Sequence, residues 1–161
     1  MADAPSSKLN GLIALWNSRS KGLMKHMALE IMNAGPKGVT MRMPFNREFC
    51  IDEAETLVHG GVLTTLLDSA FGLANFAAID GVASMATLDL RVDYLRPAKS
   101  RLSLIVRAEC YRQTHHVAFN SGSIWFEGAE DEEIARGAAS FALIRSGESL
   151  LEKFASTESG R

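Results

Sequence analysis

His59, Gly60 and Gly61 open an apolar stretch that holds a single carboxylate, Asp68, nine residues after the histidine. A helix start leaves backbone N–H groups without intrahelical partners and carries the positive end of the helix macrodipole, and glycines there let a ligand approach the backbone closely. A carbonyl oxygen bound to the N–H of Gly60 or Gly61 would be polarised, and the oxyanion of a tetrahedral intermediate would be stabilised more than the ground state. That is one half of an acyl-transfer site, and Asp68 is the candidate for the other half. Helix geometry separates the two: a rise of roughly 1.5 Å per residue puts Asp68 about 10–12 Å along the axis from the glycines, whereas reacting atoms must come within about 3–3.5 Å. One chain therefore offers two half-sites. An antiparallel second copy would bring its Asp68 to the first chain's Gly60.

The segment from Gly60 to about Ile79 lacks proline and exceeds the length of a strand, so it reads as a helix ending near Asp80-Gly81. On a wheel, Gly61, Thr64, Thr65, Asp68, Gly72 and Asn75 share one narrow stripe, and apolar residues cover most of the remaining circumference. A helix enclosed on several sides by a curved sheet needs this pattern. The small residues of the stripe permit close approach, which makes Gly61 and Thr65 candidate substrate contacts and the stripe a seat for a symmetric partner.

Leu29 to Asn33, a turn at Ala34-Gly35-Pro36-Lys37-Gly38, and Val39 to Met43 read as a hairpin ahead of this helix. After it, Met85 to Leu95 alternates as a long strand stopped by Arg96-Pro97. Leu102 to Tyr111, Val117 to Phe126 and Glu133 to Ile144 give three more strands, so the class is α+β. Residues 1–28 form a helical leader capped at Ser6 or Ser7, with a second short helical piece between Ser20 and Met27. Residues 29–145 are the domain proper, and 146–161 a polar tail.

Composition narrows the function classes. With 161 residues, 47 % hydrophobic, 22 % charged and a net charge of −2, the chain has the profile of one ordinary globular domain, with no basic patch for nucleic acid. Cys50 and Cys110 stand alone without a CxxC or Cys/His cluster, so neither a metal site nor a disulfide framework is indicated and a reducing, cytoplasmic setting is expected. No signal peptide and no run of about 18 uninterrupted apolar residues is present, so no membrane span is expected.

His-Gly-Gly, the aspartate nine residues on, the strand ending Tyr94-Leu95-Arg96-Pro97-Ala98 and the three following strands resemble the hotdog-fold acyl-CoA thioesterases. The likeness covers about residues 20–145 and is to the phenylacetate-degradation (PaaI-type) branch of the 4-hydroxybenzoyl-CoA thioesterase superfamily. The resemblance implies an antiparallel sheet wrapped around a central helix, with protomers paired into a homodimer or a dimer-of-dimers tetramer. It also implies hydrolysis of a small-molecule acyl-CoA substrate without a further cofactor. In this frame the glycine matching Gly60 polarises the thioester carbonyl, and the aspartate matching Asp68 is supplied by the partner as nucleophile or general base. The residue matching Thr87 positions the water or the carboxylate, and His59 matches the histidine at the helix start. The sequence departs from the family at Glu53, where an asparagine is usual; a carboxylate cannot donate as an amide does unless it is protonated.

Arg96, Lys99 and Arg101 flank the Pro97 turn, where they could meet coenzyme A phosphates. His115 and His116 read as exposed turn residues, and Met24, Met27, Met32, Met41 and Met43 as mostly core, with flexible side chains that would also suit an adaptable acyl pocket. Two other readings stay open: a noncatalytic acyl-CoA-binding hotdog module, and a hotdog enoyl-CoA hydratase using an acid ahead of the histidine. The first normally carries a DNA-binding domain for which the leader is too short. In the related dehydratase pattern an acid would stand where this chain has Leu73.

Overall fold

Period-two alternation produces six antiparallel strands, and the long apolar run produces one helix that they enclose. The computed structural model describes residues 21–145 together with Ile13, Trp16 and Asn17. A short helix α1 (Gly22–His26) leads into the hairpin of β1 (Glu30–Gly35) and β2 (Gly38–Met43). Helix α2 (Gly60–Ala78) follows, then β3 (Val82–Tyr94), β4 (Leu104–Gln113), β5 (Val117–Phe126) and β6 (Ala135–Arg145). The strands form one sheet in the order β1-β2-β4-β5-β6-β3, with β1 and β3 at its edges. This is the hotdog arrangement. The cap at Ser6 or Ser7 and the 146–161 tail lie outside the described residues.

Inward residues of the strands close over α2. Met41 and Met43 of β2, Leu104 and Val106 of β4, Ile124 of β5 and Phe141 of β6 are buried in one cluster with Leu63, Leu66, Leu67, Ala70, Phe71 and Ala74 of the helix. α2 has the length and mean hydropathy (1.2) of a membrane span, but its apolar side chains meet the inner face of the sheet, which accounts for that composition. The sheet can approach so closely because Gly122 of β5 and Gly137 of β6 pair side by side. A Cβ at Gly122 would lie 2.6 Å from the Arg107 carbonyl oxygen and 2.9 Å from the Phe71 ring, and one at Gly137 2.9 Å from Leu67 Cδ1. Phe71 fills the hollow these glycines leave.

The stripe on α2 is shorter than the wheel predicts. Gly61, Thr65, Asp68 and Gly72 remain at least partly exposed, but Asn75 is fully buried. Its Oδ1 accepts from Asn120 Nδ2 at 2.9 Å, because the sheet closes over the last turns of the helix and Asn120 points inward from β5. Ahead of β1, Trp16 Nε1 donates to the Leu29 carbonyl at 3.3 Å. Asn17 accepts from the Ile31 N–H at 2.9 Å and donates to its carbonyl at 3.3 Å. The leader thereby occupies backbone groups of edge strand β1 that would otherwise be open to pairing.

Candidate active site at the start of the central helix

Two consecutive glycines make a poor first helical turn, since each costs roughly 1 kcal/mol relative to alanine. Side chains from three places compensate. His59, extended at φ −60 and ψ 134, is the N-cap, and its Nδ1 accepts from the Gly61 N–H at 2.9 Å. Tyr94, at the end of β3, donates its hydroxyl to the Gly60 carbonyl at 3.1 Å and lies 2.8 Å from Thr64 Oγ1, which itself donates to the same carbonyl at 3.3 Å. The Val62 N–H returns to the His59 carbonyl at 2.9 Å. Of the two N–H groups singled out from the sequence, that of Gly61 is therefore engaged by His59, while that of Gly60 has no partner among the described residues. The Thr65 hydroxyl is also engaged, donating to the Gly61 carbonyl at 2.9 Å.

An apolar depression of about 350 Å³ opens beside Gly60, lined by Ile51, Leu57, Val58, Leu63, Tyr94 and Leu95 among others. Ile51, Tyr94 and Leu95 are each more than half exposed, giving the depression an apolar rim. Gly60 and Leu63 of the first helical turn form part of its lining.

Two turns further along α2, half-buried Asp68 receives a hydrogen bond of 2.8 Å from Thr87 Oγ1 to its Oδ1. Thr87 reaches the helix because β3 carries a bulge: Thr87 pairs with Phe141 and Asp89 with Ser140, leaving Leu88 as the extra residue. Such an insertion re-aims the side chains on either side of it. The structure thus joins Asp68 to Thr87 and joins His59 to the glycines, and leaves these two groups separate along the helix. Among the described residues no group of three or more His, Cys, Asp or Glu could hold a metal ion.

Residues 55–131 match the model of the thioesterase superfamily. An inferred esterase of Halobacterium salinarum is 33 % identical over 131 residues, covering 77 % of this chain and 85 % of the relative. The chain belongs to the thioesterase superfamily. A solved protein of Pseudomonas aeruginosa superposes with a TM-score of 0.66 at 30 % identity, covering 85 % of this chain and 94 % of its own. A thioesterase of Haemophilus influenzae shares the fold at a TM-score of 0.73 and 21 % identity, over 87 % of this chain and 92 % of its own.

The superfamily match takes in His59, Gly60, Asp68, Thr87 and the Pro97 turn, and begins just after Glu53. Glu53 is exposed on the loop ahead of α2 and makes no hydrogen bond among the described residues. Its neighbour Asp52 organises that loop: Oδ1 accepts from the Thr56 and Leu57 N–H groups at 2.7 Å each, and Oδ2 from the Thr56 hydroxyl at 2.8 Å. Chiefly through the Leu57 N–H, these bonds hold the Asp52 carboxyl down at about 2. The same loop carries Glu55 at φ 52, a left-handed conformation that the Asp52 bonds help to fix. Arg101 adds a bond from its guanidinium to the Ala54 carbonyl at 3.0 Å. The acidic run Asp52-Glu53-Ala54-Glu55 thus braces Ile51, Leu57 and Val58 in the wall of the depression, through Asp52.

Of the other cations at the Pro97 turn, Arg96 pairs with Glu132 at 3.2 Å, and Lys99 makes no ion pair among the described residues. His115 and His116 are exposed in the β4–β5 turn, as expected. Tyr94 and Asp52 are the functional-region residues that sequence reasoning missed. Each was visible only as part of a pattern, Tyr94 closing a strand and Asp52 opening an acidic run.

Proposed function

We propose that this protein is an acyl-CoA thioesterase of the phenylacetate-degradation type that releases a free carboxylic acid and CoA, with each active site shared between two subunits. The observation that carries the reading is the pairing of a Gly60 N–H at a helix terminus, unpartnered among the described residues, with an oriented carboxylate two turns away on the same helix. In the proposed reaction the thioester carbonyl oxygen accepts from the Gly60 N–H. Asp68 of the partner subunit, oriented by its own Thr87, either takes a proton from the attacking water or attacks the carbonyl carbon itself. The C–S bond then breaks and CoA leaves as the thiolate, which is protonated from solvent; in the covalent route a water subsequently hydrolyses the mixed anhydride. The helix terminus favours the oxyanion of the intermediate, which the ground-state carbonyl only partly develops.

Support for a second copy comes from β3. It is an edge strand of 13 residues whose outer side has no partner among the described residues, and Leu88 at its bulge is 60 % exposed. Long unpaired edges are ready templates for antiparallel pairing. Coenzyme A phosphates would fall to Lys99 first, since Arg96 and Arg101 already hold other groups. The test is thiol release from a panel of aryl, short-chain and medium-chain acyl-CoAs by wild type and Asp68→Ala. Turnover that discriminates among acyl groups and vanishes in the variant supports the reading. Absence of thiol release from every thioester, with acyl-CoA still bound, would establish the noncatalytic binding module instead.

A further inference from the structure

We infer that Tyr94 is a positioning residue for the carbonyl-binding N–H of Gly60, and that its ring and its hydroxyl have separable roles; the inference rests on the thioesterase reading above. The Gly60–Gly61 peptide is gripped at both ends. Its N–H donates to His59 Nδ1 at 2.9 Å, and its carbonyl accepts from the Tyr94 hydroxyl at 3.1 Å. Thr64 Oγ1, 2.8 Å from the Tyr94 oxygen, completes a triangle of polar groups over the first turn. The preceding peptide, which bears the Gly60 N–H, is held through the His59 carbonyl, which accepts from the Val62 N–H. Its orientation therefore depends on the neighbouring peptide staying in place.

Helix ends open at low cost, and two glycines lower that cost further. A donor displaced by about 1 Å forfeits on the order of a hundredfold in rate. Tyr94 reaches this turn from a strand 34 residues on, so it ties the helix start to the end of β3. The close fit depends on glycine at 60: a Cβ there would lie 3.3 Å from Tyr94 Cε1 and 3.4 Å from its hydroxyl oxygen. With no Cβ in the way, the ring lies against the Gly60 backbone and also walls the apolar depression. Two consequences follow from one side chain. The hydroxyl fixes the donor, and the ring shapes the space beside it.

Tyr94→Phe and Tyr94→Leu separate these roles. In Tyr94→Phe, kcat for the best acyl-CoA is expected to fall about tenfold with KM within about twofold, because the ring remains and only the hydroxyl's contacts with the Gly60 carbonyl and Thr64 Oγ1 are lost. In Tyr94→Leu, KM is expected to rise as well. A second readout needs no activity: amide hydrogen exchange at Gly61 should quicken about fivefold in Tyr94→Phe, with Leu66 and Leu67 in the same helix unchanged. Wild-type kcat in Tyr94→Phe, or a lowered kcat with unchanged exchange at Gly61, overturns the inference. If the wild-type protein cleaves no thioester, the thioesterase reading fails, and the exchange measurement alone then decides whether Tyr94 holds the helix start.

Discussion

At the scale of single residues, Asp68 and Thr87 are where the sequence was most legible. A lone carboxylate among small and apolar residues, and a threonine at the matching place on the next strand, are found 2.8 Å apart as donor and acceptor. If Asp68 is the base or nucleophile, Asp68→Asn should lower kcat by about 10²–10⁴-fold while leaving the melting temperature close to wild type. Thr87→Val, which removes only the bond orienting that carboxylate, should cost roughly five- to tenfold in kcat. Both follow from steady-state thiol release read beside thermal melts.

Asp52 was legible only as charge, because its role is made by backbone N–H groups that a sequence does not display. Its carboxyl is lowered from 3.8 to about 2 in the folded protein, first by the Leu57 N–H and further by the Thr56 N–H and hydroxyl. A folded value below the unfolded one means that ionised Asp52 stabilises the fold fully above about pH 4–5, and that this contribution is lost as pH falls through about 2. Asp52→Asn is therefore expected to melt at a lower temperature than wild type at pH 7. The gap should narrow steadily as both are acidified below about pH 4. A gap independent of pH would show that the charge is not what matters.

At the scale of elements, the helix followed from the length of a proline-free apolar run and the strands from period-two alternation, and the expected strand Val117–Phe126 is found with those ends. What periodicity could not convey is where neighbouring elements close in. Asn75 shares the azimuth of Asp68 on a wheel, yet it is buried against Asn120 because the sheet wraps the second half of α2 more fully than the first. Gly122 and Gly137 likewise carry no period, and their meaning appears only when Phe71 and Leu67 are seen filling the space before them. Gly122→Ala places a methyl 2.6 Å from a backbone oxygen and 2.9 Å from the Phe71 ring. Such overpacking typically costs about 1–3 kcal/mol, so its urea midpoint should drop with the m-value unchanged.

At the scale of the whole molecule, the two edges of the sheet differ. β1 has its Ile31 backbone groups occupied by Asn17, whereas β3 offers 13 residues, an exposed Leu88 and, just beyond its end, an exposed Leu95. An edge so open fits the second copy of the chain that the proposed function requires. Light scattering should then report at least twice the 17.5 kDa of one chain. The sequence already implied this much, since about 12 Å of helix between Gly60 and Asp68 is a distance that no side-chain rotation spans. The sequence pointed to the small-residue stripe of α2 as the seat of that partner; the β3 edge proposed for pairing was not legible, because it depends on which strand the folded sheet leaves at its edge.

The central claim is that one reaction centre takes Gly60 from one chain and Asp68 from another, and mixing two inactive variants tests it most directly. Asp68→Ala lacks the carboxylate. Gly60→Pro lacks the N–H at a first helical position, where proline is tolerated and where the preceding His59, at ψ 134, is already extended as a residue before proline must be; its Cβ also presses on the Tyr94 ring at 3.3 Å, which must shift by a few tenths of an ångström. Each variant alone should be inactive. A one-to-one mixture unfolded and refolded together, with heterodimers confirmed by native mass spectrometry, should recover about a quarter of wild-type turnover, because half the dimers then hold one complete site. No recovery in mixtures that demonstrably contain folded heterodimers would contradict the shared site.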